Sequence, residues 1–259
     1  QVIEGLHGVP FARPLTRMRE TIDVVRLAEA GERLALDGDQ IRLPLPGGEG
    51  RALRLSLRPG DEPLAIYIAS LSPRMLALTG EVADGWLGTS FVPEGARSSM
   101  DALAEGAARS GRTLADLDLC QGAEVAFARD EAELHEMLQR RKAGLAFSLG
   151  GMGSARTNFY NAAYARQGFA DVAAESQALW LAGRRDAAAS VIPDSMVMAT
   201  TLLGTESQVA DRLRVWEDTG ITQVRLYPAG ETIDERLDTL GRALDLVRGL
   251  ESSRSRESK

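Results

Sequence analysis

The sequence predicts a parallel α/β fold, and three observations carry that reading. Strand-like and helix-like segments alternate from Leu64 to Leu145 and again from Thr205 to Gly249. The block Pro63 to Gly88, PLAIYIASLSPRMLALTGEVADGWLG, spells out one whole strand–loop–helix–strand unit. Such an order is the mark of parallel α/β architecture. Residues 148–203, by contrast, are Ala-rich and strand-free. That is too long for an ordinary strand-to-helix connection, so a helical insertion is expected there.

Taken in order, Pro14–Glu29 is an amphipathic helix, with Leu15, Met18, Ile22 and Val25 at three- and four-residue spacing and Gly31 as its stop. Arg17, Arg19 and Glu20 fall on its polar edge and are expected to form a solvated, ion-paired face. Leu36–Asp61 lacks helical periodicity and reads as a loop with a short β-excursion, Gln40–Leu45 and Leu53–Leu57. Leu64–Ala69 is then a buried strand, followed by the tight loop Ser70-Leu71-Ser72-Pro73. Pro73 suits the first helical position, where its missing N–H costs nothing, and Ser72 suits the N-cap. Ala83-Asp84-Gly85-Trp86 opens the next strand, and a helix spans Glu94 to Ser110, ended by Gly111. Asp118–Ala128 is a strand whose buried end holds Val125, Ala126 and Phe127, and Asp130 caps a helix running to about Leu145. Within the insertion, helices are expected at Phe159–Ala165, Val172–Leu181 and Asp186–Ser190. Thr205 and Gln208 form a capping box for the next helix, which ends at Gly220. The strand Thr222–Tyr227 and the helix Ile233–Gly249 follow, and the polar tail Ser252–Lys259 is expected to be disordered.

Composition narrows the function. A net charge of −7 argues against nucleic acid, whose readers are basic. No apolar run approaches a membrane span, and no signal peptide is visible, so a cytoplasmic protein with no membrane partner is expected. One cysteine, Cys120, excludes an intrachain disulfide. With only two histidines beside it, a His/Cys zinc site is not expected.

A strand that runs into a helix N-terminus through small residues leaves backbone N–H groups converging on one spot, which suits a phosphate. An ordinary βα turn also favours Ser and Pro, so both readings of Ser70–Pro73 stand open. Asp84 before Gly85 suits a turn, bonding local backbone amides, better than catalysis, and Trp86 suits a core position. Gly150–Asn161 is glycine-rich but lacks GxGxxG spacing and is not a dinucleotide fingerprint. It reads equally as a helix cap or as a ligand-contacting entry to the insertion. Glu4 and His7 sit in a glycine-flanked segment that is either a simple turn or a source of acid–base groups. His135 reads as surface and Cys120 as core.

Four stretches together resemble the luciferase-like monooxygenase superfamily, in particular its branch that uses the deazaflavin coenzyme F-420. They are Gly8-Val9-Pro10-Phe11 leading into Pro14–Glu20, the IYIASLSPRMLALTGEVADGW block, Gly150–Asn161, and the closing unit Val209–Tyr227. They stand in family order across nearly the whole chain, and the second and third are the specific ones. The resemblance implies a (β/α)8 TIM barrel of the bacterial luciferase type. By that alignment the chain would hold the C-terminal half, strands five to eight, with the helical insertion at 148–203 and one luciferase-like domain over 1–259. It would then be truncated at its N-terminus, and its open strand edges make a homo-oligomer the expectation.

The implied activity is hydride transfer between coenzyme F-420 and a small organic substrate. An FMN-dependent monooxygenase of the same fold and an inactive fragment remain the alternatives. Carried over residue by residue, Ala69, Ser70, Leu71 and Ser72 would approach the cofactor's ribityl-phosphate region, with Ser72 where many relatives have Gly. Met152, Arg156, Asn158 and Tyr160 would lie near the substrate. The catalytic residue stays unknown, with Glu4 and His7 as weak candidates, because the family's ring-gripping residues lie largely on earlier strands.

Overall fold

The structure, a computed structural model, describes residues 2–56, 60 and 62–257. The chain divides into two compact units, each with a core cluster of its own. The first comprises Gln1–Ile68, Pro73–Gly85 and Ala102–Leu117; the second comprises Ala69–Ser72, Trp86–Asp101 and Asp118–Lys259.

The first unit begins with a short helix, α1 (Val2–Leu6), and the amphipathic helix α2 (Pro14–Glu29). A two-stranded antiparallel hairpin follows, β1 (Leu36–Asp37) and β2 (Arg42–Leu43), with Leu36 opposite Leu43. Next come β3 (Tyr67–Ile68) and α3 (Pro73–Val82), which starts at the proline the sequence singles out. The strand β4 (Gly85–Leu87) and helix α4 (Arg97–Arg109) each run across the division between the units. Ile22, Ile68 and Ala83 form this unit's core, with Met18, Ile66 and Val82 packed on it. Val25, expected on the apolar stripe, is exposed instead. Gly80 and Gly106 let α3 and α4 meet backbone to backbone: a Cβ on Gly106 would lie 1.8 Å from the Ala77 carbonyl oxygen.

Two expectations change here. The strand Leu64–Ala69 contracts to Tyr67–Ile68 because side chains take over the ladder's work before it. The Leu64 N–H donates to the Glu29 carboxylate, Arg26 donates to the Leu64 carbonyl at 2.7 Å, and the Ile66 N–H donates to Asp84 at 2.7 Å. Glu20 is likewise not on a solvated face but 7% exposed. Its carboxylate accepts the backbone N–H groups of Asp39 (2.8 Å), Gln40 (2.9 Å) and Ile41 (2.7 Å), and so holds the turn of the β1–β2 hairpin. The excursion over Leu53–Leu57 leaves only an isolated bridge from Arg54 to Arg33, and Leu57 lies outside the described residues.

The second unit is built on β5 (Asp118–Phe127). It continues with α5 (Glu131–Gly150), α6 (Phe159–Tyr164), α7 (Ala170–Leu181), α8 (Arg185–Ser190), α9 (Asp194–Thr200), β6 (Leu202–Gly204), α10 (Glu206–Glu217), β7 (Gln223–Pro228) and α11 (Ile233–Glu257). β5 pairs in parallel with β7, from Cys120 opposite Gln223 to Val125 opposite Pro228, and with β6 at its C-terminal end. Seven strands occur among the described residues, two of them in the separate hairpin, so the sheet is α/β but open and not a closed eight-stranded barrel. Asp130 caps α5 and Thr205 with Gln208 caps α10, as the sequence predicts. The insertion carries the helices α6 to α9 joined by turns, and the strand residues Leu202 and Leu203 close it. Its helices make their own core with α5: Leu145, Leu149, Ala173, Ala188, Ile192, Met196 and Val197 are all buried. Each fully buried aliphatic side chain of this size stabilises by about 1.5–3 kcal/mol, enough to hold an insertion without a sheet. At the C-terminus α11 continues through Glu257 rather than giving way to a disordered tail at Ser252. Arg and Glu are good helix formers, and a polar composition opposes packing, not helix. Ser258 and Lys259 lie outside the described residues.

The Glu20 clamp has a pH signature. Desolvation pushes its carboxyl up, but the three backbone donors outweigh this and hold its pKa below the ordinary 4.5. The stability it contributes is therefore complete above that ordinary value and is lost as pH falls through the lower folded-state value. Glu20→Gln should lower the melting temperature at neutral pH and flatten the loss of stability between about pH 5 and pH 3. Thermal unfolding across that range checks this; identical curves for the variant and the parent protein would contradict it.

Candidate functional site

The loop Ala69–Ser72 follows β3 and passes directly into α3 at Pro73. Two carbonyls of the loop are held by side chains of the second unit. The Trp86 indole N–H donates to the Ser70 carbonyl at 3.0 Å. The Arg166 guanidinium donates through Nη2 to the Leu71 carbonyl at 2.7 Å. Trp86 is 2% exposed and is itself fixed by edge-on packing against Phe91, which packs edge-on against Trp216. With these two acceptors already satisfied, an approaching anion does not meet bare carbonyl oxygens.

Arg166 and its neighbour Gln167 stand just before a break in the insertion, where Gly168 adopts φ +102° and separates α6 from α7. Gln167 is buried and all its polar capacity is directed at chain segments. It accepts from the Val92 N–H at 2.7 Å and donates to the carbonyls of Ser90 (2.7 Å) and Ala163 (3.0 Å). Ser90 takes a left-handed backbone, φ +53°, unusual for a residue with a Cβ. Its side chain bonds the buried Tyr164 phenol, whose pKa burial pushes up although the Ser90 bond opposes the shift. The strand-end segment after β4 is thus locked from three sides.

The Asp84 of the ADGW motif is structural, as expected, but its partners are distant. One carboxylate oxygen accepts the Ile66 N–H and, at 2.6 Å, the Arg26 guanidinium. The local turn bonds expected for it give way to this bridge between α2 and the approach to β3.

The other sequence candidates are spread out. Asn158 is buried and fully occupied: it caps α6 by accepting from Tyr160 and Asn161 at 3.0 Å and donates to the carbonyls of Ser148 and Leu149. Met152 and Tyr160 are half-buried and Arg156 is exposed in the turn between α5 and α6. None of these four bonds the Ala69–Ser72 loop among the described residues. The insertion residue that does is Arg166, which the sequence reading passed over. Its only local signal is a polar Arg-Gln pair interrupting an Ala-rich helix just before a glycine. Glu4 lies in α1 rather than in a loop, is exposed, and accepts the Phe11 N–H at 3.2 Å. His7 follows it, also exposed.

A separate cavity of about 740 Å³ lies at the C-terminal ends of β5 and β7, lined by Glu124, Arg141, Tyr227, Glu231 and Arg236 among others. Such strand ends are where parallel α/β sheets place ligands. Among the described residues no group of three or more metal-ligating side chains gathers, and no helix is long and apolar enough to cross a membrane.

The family model for luciferase-like monooxygenases matches residues 1–223. A protein of Mycobacterium tuberculosis described as a coenzyme F-420-dependent oxidoreductase is 36% identical over 231 residues, covering 86% of this chain and 66% of that protein. A 5,10-methylenetetrahydromethanopterin reductase of Methanolobus tindarius is 28% identical, covering 92% of this chain and 68% of the relative. Among solved structures, the coenzyme F-420-dependent tetrahydromethanopterin reductase of Methanopyrus kandleri superposes with a TM-score of 0.64 at 20% identity, over 94% of this chain and 68% of that one. At that identity the superposition speaks to fold alone. The chain thus spans about two thirds of the length of these relatives.

The bond from Trp86 to Ser70 is open to a direct test. Trp86→Phe keeps an aromatic ring and removes the donor to a buried carbonyl. It should cost about 1–2 kcal/mol in denaturant unfolding with an unchanged slope. An unchanged midpoint would show that the bond contributes nothing.

Proposed function

The chain belongs to the luciferase-like monooxygenase family, and from that premise we propose that it serves an oxidoreductase passing hydride between the deazaflavin coenzyme F-420 and an organic substrate. The observation that carries this is the Ala69–Ser72 loop: small residues after a strand, immediately ahead of a helix start, with the Ser70 and Leu71 carbonyls tied back by Trp86 and Arg166. Backbone N–H groups of a loop that leads into a helix start suit a phosphate. A relative at 36% identity described as a coenzyme F-420-dependent oxidoreductase supports the reading, and one at 28% described as a reductase supports its redox part.

When bound, the coenzyme supplies a ring carbon that gives or takes hydride, and the protein supplies binding, orientation and a dry setting. In our reading Ala69, Ser70, Leu71 and Ser72 hold its phosphate region. The Trp86 indole keeps the loop in one shape before ligand arrives, so little ordering is left to binding. Met152, Arg156 and Tyr160 border the substrate, on a turn that Asn158 shapes from within.

FMN also carries a phosphate on its ribityl chain, so an FMN-dependent monooxygenase is the second reading, separated by which cofactor binds. Ser72 decides between a phosphate loop and an ordinary turn. Ser72→Asp sets a carboxylate beside the proposed phosphate and should weaken coenzyme F-420 binding by about 100-fold. Ser72→Gly, which keeps every backbone donor, should be nearly neutral. Fluorescence titration with coenzyme F-420 and with FMN checks both. Equal affinity of the parent protein and Ser72→Asp would remove the site; tight binding of FMN alone would move the function to the monooxygenase reading.

A further inference from the structure

Several of the chain's arginines pair with a carboxylate, while others, such as Arg112, bond carbonyls instead. Arg26 pairs with Glu29 and Asp84, Arg212 with Glu94, Arg129 with Glu133 and Arg242 with Glu206. Arg166 has none. Its one polar partner among the described residues is the Leu71 carbonyl. A guanidinium carries five N–H donors in a rigid fork, and that single bond leaves four of them unused by the protein. The fork is not swinging freely, because one nitrogen is anchored to the very loop that the cofactor reading invokes. Its backbone is fixed as well, since Gln167 beside it is bonded to Ser90, Val92 and Ala163. Arg166 is exposed, so a ligand arriving from solvent can reach the donors that the Leu71 bond leaves over.

We propose that Arg166 is the residue that recognises the cofactor's phosphate, gripping its oxygens with the N–H groups left over from the Leu71 bond. This rests on the function proposed above and names a ligand-binding residue that neither the sequence motifs nor the family resemblance supplied. Three features favour it over a merely structural tether. A tether to a carbonyl needs only a neutral donor, yet the residue is an uncompensated cation. Arginine's planar fork matches two phosphate oxygens at once and gives both strength and orientation. Finally, the side chain is partly desolvated without a counter-charge, which lowers its pKa, and an arriving anion relieves that cost. Arg225 also lacks a carboxylate, but it lies over the Tyr227 ring and bonds the Gly88 carbonyl, away from the Ala69–Ser72 loop.

The test separates charge from scaffold. The 259-residue chain and its Arg166→Gln and Arg166→Lys variants are titrated with coenzyme F-420 and with the same deazaflavin carrying a bare ribityl chain and no phosphate, each followed by ligand fluorescence. Arg166→Gln keeps a neutral donor for Leu71 and removes the cation. It should weaken coenzyme F-420 binding by about 30- to 100-fold and leave the unphosphorylated ligand within about threefold. Arg166→Lys, which keeps the charge but loses the fork, should fall between, and it carries the test if the glutamine variant fails to fold. Equal losses on both ligands, or no loss on either, would reduce Arg166 to a tether while leaving the functional reading in place. Parent-protein affinity that ignores the phosphate would overturn the proposal in the same way. Failure of the parent protein to bind either ligand would overturn the functional reading, and this inference with it.

Discussion

The candidate site depends on the hydrogen bond from the Trp86 indole to the Ser70 carbonyl. β3 is only two residues long, and so short a strand cannot position the loop that follows it through ladder bonds alone. Side chains do it instead, and they come from one short motif. Asp84 holds the Ile66 N–H on the approach to β3, and Trp86, two residues on, holds the Ser70 carbonyl beyond it. Successive side chains of an extended segment point to opposite faces, whereas 84 and 86 share a face. Residues of that spacing are suited to bracketing a neighbouring strand at both ends.

The insertion serves the same loop from another direction. Its helices bury an aliphatic core against α5, so the break at Gly168 is carried on a packed body. Gln167 turns that packing into position by bonding the strained Ser90 segment. Left-handed backbone at a non-glycine residue persists only where its surroundings over-determine it. Here the surroundings are the buried Gln167 amide and the Tyr164 phenol.

What was legible in the sequence was local. Pro73 as a helix start, Asp130 as a cap, and Thr205 with Gln208 as a capping box each act within about one turn, so spacing reveals them. The order of strands and helices followed from the same local periodicities, and the luciferase-like family from motifs within them. What was not legible was long-range. Glu20 reads as a surface acid of α2 because its three donors lie 19 to 21 residues away. Arg166 meets Leu71 from 95 residues away, and no periodicity points across such a distance. The contraction of Leu64–Ala69 to two strand residues has the same origin: carboxylates and a guanidinium from other elements claimed its backbone groups first. Asn158 shows the converse, since its glycine-rich setting suggested a ligand residue while its oxygen caps α6 and its NH2 bonds the carbonyls of Ser148 and Leu149.

The central claim is that the Ala69–Ser72 loop receives the cofactor's phosphate. Backbone amide NMR of the isotope-labelled chain during titration with coenzyme F-420 tests it most directly, because N–H groups that donate to phosphate oxygens shift strongly. The account predicts that amides within Ala69–Ser72 move and saturate with the same dissociation constant as the coenzyme's own fluorescence. Saturable binding with those amides unmoved, and shifts confined to other segments, would contradict it.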